Sequence, residues 1–127
     1  MTATNEAIAL TVAAAHAADE KLARDVVAFD VSEQLAIADV FLVCSGNSER
    51  QVDAIVDAIE EALREQFDRR PLSREGTRDS HWVLLDYLDV IVHVQHQTDR
   101  EFYQLERLWK DCPSVPLPHA ERLEESS

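Results

Sequence analysis

Between Val52 and Phe67 the apolar residues Val52, Ile55, Val56, Ile59, Ala62, Leu63 and Phe67 recur at spacings of three and four. That spacing predicts an amphipathic helix with a wide apolar stripe, and Asp53, Asp57, Glu60, Glu61 and Arg64 form its solvated side. Ser48, followed three residues later by Gln51, supplies a capping box for its start. Further along, the stretch Trp82–His96 is rich in β-branched and aromatic residues and contains neither proline nor glycine. Leu88-Asp89 divides it into two strand-like halves, which predicts a tight β-hairpin. In the first half Trp82, Leu84 and Asp86 share one face and Val83, Leu85 and Tyr87 the other. In the second half Val90, Val92 and Val94 oppose Ile91, His93 and Gln95. One hairpin face is therefore aliphatic and suits a helix cover. The face with His93 and Gln95 is mixed; if it also carries Trp82 or Leu84 it is an aromatic and polar protein-binding surface, unless a further element covers it, and the pattern leaves both open.

The remaining elements complete an alternating order. Thr4 or Asn5 caps an alanine-rich first helix, with Ile8, Val12, Ala15 and Leu22 on its apolar side. Val26–Val31 reads as a short strand, and Val40–Cys44 as a continuously apolar, central one. Pro71–Glu75 suits an edge strand, since proline lacks the ladder donor. Thr98 with Glu101 predicts a second capping box, opening a short helix whose apolar positions are Phe102, Leu105, Leu108 and Trp109. The order helix, strand, strand, helix, three strands, helix gives an α/β chain of the α+β type. Its mixed β-sheet of about five strands is packed with helices. Residues 1–112 form one domain. Pro113, Pro116 and Pro118 predict that 113–127 is a flexible, extended tail.

Charge narrows the partners. The 127 residues carry 12 Lys and Arg against 25 Asp and Glu, a net charge of −13. Such a surface repels phosphate backbones and anionic membranes, so neither a membrane nor nucleic acid, sequence-specific binding included, is expected as a partner. It suits a basic protein, or serves solubility alone. Cys44 and Cys112 form no Cys-x-x-Cys pair, and Cys44 is expected as a buried, inert thiol. No stretch is long and apolar enough to span a membrane, and the N-terminus has no basic leader, so a cytoplasmic protein is expected.

Candidate chemistry is sparse. Ser45-Gly46-Asn47-Ser48 joins a strand to a helix, but lacks the Gly-x-x-x-x-Gly-Lys pattern of a phosphate loop. Asp86 and Asp89 suggest a metal-holding carboxylate pair, yet that chemistry wants carboxylates two residues apart on one strand face, and here the spacing is three, across a turn. His93 and His96, three apart, point to opposite faces, and no cysteine or spaced histidine joins His81 in a tetrahedral set. No catalytic residue, metal or cofactor is expected.

Several separated motifs point to one family. Asp25-Val26-Val27, Ala38-Asp39-Val40-Phe41 and Ser45-Gly46-Asn47-Ser48-Glu49-Arg50-Gln51-Val52 resemble the ribosomal silencing factor family, also called Iojap. So do Glu75-Gly76, Trp82–Tyr87, Asp89–Val94 and Arg100–Trp109, and the match covers about residues 5 to 112. The resemblance implies a nucleotidyltransferase-like fold without transferase activity. It also implies a translational repressor that binds the large ribosomal subunit at its protein numbered fourteen and sterically blocks the small subunit. A homodimer is implied for the free protein. Trp82, Leu84, Asp86, Tyr87 and Asp89 are then the expected contact residues, aromatics as anchors and carboxylates facing basic groups. Ser45, Asn47 and Arg50 would support the adjoining turn, and Tyr103 and Trp109 belong to the core or a dimer contact. The alternative is metal-dependent nucleotidyl transfer at Ser45-Gly46 with Asp86 and Asp89. In one respect the chain departs from its relatives: Leu88 stands where they often have glycine, so a turn of another type or a bulge is expected.

Overall fold

The structure, a computed structural model, describes residues 2–76 and 79–117. Helix α1 (Asn5–Glu20) begins where Thr4 Oγ1 accepts the Ala7 N–H at 3.1 Å. Its core-facing stripe is Ala7, Leu10, Ala14 and Ala18, all fully buried. Ile8 and Val12 pack only partly, and Leu22 lies beyond the helix, 76% exposed. Of the expected apolar side only Ala15 is buried; the core-facing stripe is turned toward Leu10 and the small alanines.

Strands β1 (Arg24–Asp30) and β2 (Val40–Gly46) pair antiparallel. Helix α2 (Glu49–Phe67) follows, with Ser48 Oγ accepting the Gln51 N–H at 3.1 Å. The Gln51 side chain reaches back to the Asn47 N–H, at 2.6 Å, so the capping box closes one residue earlier than its usual form. Strands β3 (Ser73–Gly76), β4 (Trp82–Asp86) and β5 (Val90–His96) complete a five-stranded sheet in the order β1-β2-β5-β4-β3. β2 and β5 run parallel at its centre, and the other pairs are antiparallel. A parallel pair needs a crossover, and α2 supplies it: the chain passes over the sheet to the far edge, then folds back through β4 to fill the gap with β5.

α1 and α2 cover one face. Beneath them lie Val40, Leu42 and Cys44 of β2, Val83 and Leu85 of β4, and Val90, Val92 and Val94 of β5. Leu10, Leu42, Ile55, Ile59, Leu63 and Leu85 are fully buried there, each worth roughly 1.5–3 kcal/mol of transfer free energy. Burial pushes the Cys44 thiol up to about 12, which keeps it protonated and inert.

Two expectations fail near the C-terminus. Helix α3 (Gln97–Tyr103) is capped by His96, whose side chain accepts from the Thr98 N–H at 3.2 Å, and Thr98 lies inside the helix. It stops at Gln104, whose φ of 48° is left-handed, and a 3-10 turn (Leu105–Trp109) follows. Phe102 and Leu108 are 79% and 70% exposed, so they are surface residues and not the apolar side of a longer helix. The boundary at Cys112 also moves. Residues 113–117 run along β1: Pro113 O accepts the Asp30 N–H at 2.8 Å, and the Val115 N–H donates to Ala28 O at 2.9 Å. Val115 and Leu117 enter the main core, so proline here ends helix formation without loosening the chain. The rest of the expected tail lies outside the described residues.

Candidate functional site: the aromatic sheet face

The face away from α1 and α2 is built in rows by strand register. Ser45, Gln95 and Trp82 form one row across β2, β5 and β4. Val43, His93, Leu84 and Glu75 form the next, and Phe41, Ile91, Asp86 and Ser73 the third. The third row continues to Phe29 of β1, where Phe29, Val31 and Ala38 form a second, smaller core under Leu35, Phe41, Ile91, Trp109 and Cys112. α3 lies over the first row, with Ser45 Oγ 3.3 Å from Gln97 Oε1 and Arg100 Nη2 donating to Asp25 O at 2.7 Å.

Aromatic rings cross this face in an unbroken chain. Centroids are 4.9 Å apart from Phe102 to Tyr103 and again from Tyr103 to Trp82. They are 6.1 Å apart from Trp82 to His93, 5.3 Å from His93 to Phe41, and 5.0 Å from Phe41 to Trp109. Tilted and edge contacts of this kind each add about 0.5–1.5 kcal/mol beyond burial. The chain is deepest at His93 and opens to solvent at Tyr103 and Phe102, which are 52% and 79% exposed. Beside its open end, Glu75, Gly76, Trp82 and Leu84 line a shallow hollow of about 300 Å³. Gly76 allows the edge strand to come this close, since a Cβ there would sit 3.1 Å from the Trp82 carbonyl oxygen.

The five expected contact residues separate into three groups. Trp82, Leu84 and Asp86 share the uncovered face, each half-buried. Tyr87 does not reach it: its ring lies among the residues under the helices, 1% exposed, and burial with Glu60 nearby pushes its phenol up to about 12. Tyr87 alternates with Asp86 across the strand, and its burial corrects its place among contact residues. Asp89 sits in the turn, where its carboxylate accepts from Arg69 Nη2 at 2.9 Å, and the same nitrogen donates to Tyr87 O at 2.7 Å. Asp86 Oδ1 accepts the Leu88 N–H at 2.8 Å. Each carboxylate thus has a separate task in the turn.

That turn takes the conformation leucine disfavours. Leu88 has φ 77°, and the Asp89 N–H donates to Tyr87 O at 3.0 Å, an i to i+2 bond of a γ-turn. The chain accepts the positive φ instead of inserting a bulge.

Ser45, Asn47 and Arg50 lie at the opposite end of the face from Asp86. Ser45 is fully buried, donating to Arg24 O at 3.2 Å, so it ties β1 to β2 and touches α3. Asn47 and Arg50 are exposed, around the start of α2. Sequence reasoning placed His93 on this face but passed over Phe102 and Tyr103 as members of it. Their side-by-side placement depends on α3 folding back over β5, which no periodicity reveals.

A mixed sheet with α1 and α2 on one face, and on the other α3 with a ladder of rings that opens to solvent at Tyr103 and Phe102, defines an α+β domain. The chain matches the model of "Ribosomal silencing factor during starvation" over residues 4–127, and it belongs to that family. It is 45% identical to the ribosomal silencing factor RsfS of Halalkalibacterium halodurans over 105 residues, 82% of this chain and 88% of that protein. It is 42% identical to RsfS of Bacillus subtilis over 116 residues, 89% and 94% of the two chains. A crystal structure of a Bacillus halodurans protein superposes with a TM-score of 0.73 at 39% identity, covering 90% of this chain and all of that one. One from Chromobacterium violaceum gives a TM-score of 0.76 at 29% identity, covering 80% and 84%. The family is not a known enzyme family.

Proposed function

We propose that this chain is a cytoplasmic translational repressor that docks on the large ribosomal subunit, at its protein numbered fourteen, and blocks joining of the small subunit by occlusion. The observation that carries this reading is the open end of the ring chain. Trp82 and Tyr103 lie 4.9 Å apart with Phe102 79% exposed beside them, and Leu84 and then Asp86 follow Trp82 on the same strand face. Apolar rings clustered in this way are the usual anchors of a protein interface. A net charge of −13 favours a basic partner and speeds encounter with one. Asp86 is the carboxylate placed to meet that partner, while Asp89 acts through the turn it braces. The same apolar patch would support a homodimer when the protein is free, released on docking.

Sedimentation of purified ribosomal subunits with the protein tests this. Co-migration with the large subunit at physiological salt, weakened about tenfold or more by Trp82→Ala, is expected. Absence from the large-subunit fraction would remove the proposal.

A further inference from the structure

Glu49, Asp79 and His81 bring three ligand-type atoms within 4.8 Å of one another. They come from the first turn of α2 and from the loop that enters β4, so their spacing along the chain gives no sign of the cluster. His81 Nε2 lies 3.6 Å from Glu49 Oε1 and 3.7 Å from Asp79 Oδ2. Both separations are too long for a hydrogen bond. They are close to the edge of a tetrahedron around an ion with bonds of about 2.1 Å, roughly 3.4 Å.

The imidazole is already held in place. Its other nitrogen, Nδ1, lies 3.4 Å from Asp99 Oδ1, the position from which a carboxylate steadies a metal-bound histidine. The ring stacks on His96 at 4.7 Å with an interplanar angle of 13°, and the His96 N–H donates to His81 O at 2.6 Å. Asp79 Oδ1 accepts the His81 N–H at 3.3 Å, and Ser80 Oγ donates to Asp53 Oδ1 at 2.6 Å, which fixes the loop against α2.

We propose that Glu49, Asp79 and His81 bind a divalent transition metal of the zinc class, with Asp99 orienting His81 from behind. One imidazole and two carboxylates suit such an ion better than magnesium or calcium, which prefer all-oxygen sites. The positive end of the α2 dipole opposes a cation there, so both carboxylates are needed to hold one. A bound ion would clamp the 79–81 loop to α2, one residue ahead of Trp82.

Calorimetric titration of the full chain tests the site, with zinc chloride as the probe and magnesium chloride alongside. One equivalent of zinc is expected to bind, and magnesium at least tenfold more weakly. His81→Ala should abolish the stoichiometric phase. Glu49→Gln, at a half-exposed side chain and so harmless to folding, should weaken binding tenfold or more. Asp99→Asn, which leaves all three ligands in place, should weaken it about tenfold, and Glu61→Gln, an exposed carboxylate of the same helix, should change nothing. Absence of a one-equivalent phase overturns the proposal. So does Glu61→Gln weakening binding as much as Glu49→Gln, which would mean an adventitious ion on an acidic surface only.

Discussion

The indole Nε1–H of Trp82 donates to Nδ1 of His93 at 3.2 Å, joining the half-exposed ring of the uncovered face to its most buried one. The bond fixes the tautomer: Nδ1 accepts, so the neutral ring carries its proton on Nε2. Charging the ring would replace this acceptor with a donor, in a place sealed from water. Burial accordingly pushes His93 down to about 4.

The folded state of His93 therefore resists a proton that the unfolded chain takes up near pH 6.5. Stability from this residue is fully present above that pH, falls as pH drops through the window, and levels off below about 4. The total is on the order of 3 kcal/mol. Urea midpoints at pH 7 and pH 4.5 should differ more for the natural chain than for His93→Phe. Equal drops would assign the acid sensitivity to other groups.

Leu88 holds φ 77° in the hairpin turn while its side chain is 63% exposed. Glycine removes the strain and gives up little burial, offset in part by its freer unfolded chain. Leu88→Gly is expected to stabilise the protein by about 0.5–1 kcal/mol, read as a higher urea midpoint with an unchanged slope. A lower midpoint would mean that the leucine side chain contributes contacts outweighing its backbone cost.

Leu117, 5% exposed, lies in the main core although three prolines surround its segment. Leu117→Ala should cost about 2–3 kcal/mol in equilibrium unfolding. A loss below about 0.5 kcal/mol, the range of surface substitutions, would restore the reading of a loose tail.

Phe102 separates binding from folding. At 79% exposure, Phe102→Ala should leave stability within about 0.5 kcal/mol, yet weaken co-sedimentation with the large subunit severalfold. Unchanged co-sedimentation would move the docking surface away from the open end of the ring chain.

Much of this architecture is legible along the chain. Ser48 and Gln51 mark the start of α2 because capping is a local interaction, decided within four residues. The alternation of Trp82, Leu84 and Asp86 against Val83, Leu85 and Tyr87 assigns the two sheet faces because a strand's side chains have period two. That same alternation groups Tyr87 with Val83 and Leu85, which the structure buries under the helices, while the resemblance to a family drew it to the surface. What stayed hidden depends on distant partners. His96 caps α3 because the strand ends there, which no local preference for Thr98 overrides. Val115 and Leu117 are buried because β1 offers a free edge and the core a gap beside it. The cluster of Glu49, Asp79 and His81 exists because the start of α2 and the entry to β4 meet at one end of the sheet.

The strip from Pro113 to Leu117 also bears on how the protein is made. It is synthesised after every strand of the sheet, and it closes the outer side of β1, the first of them. Until it leaves the exit tunnel, that row of backbone donors and acceptors stands open to any extended chain nearby. The opposite border is safer, because β3 is only 4 residues long and carries Arg74 and Glu75. A nascent chain stalled before Pro113 would therefore be exposed to mispairing mainly along β1, and its guard would arrive only after the whole sheet had been made.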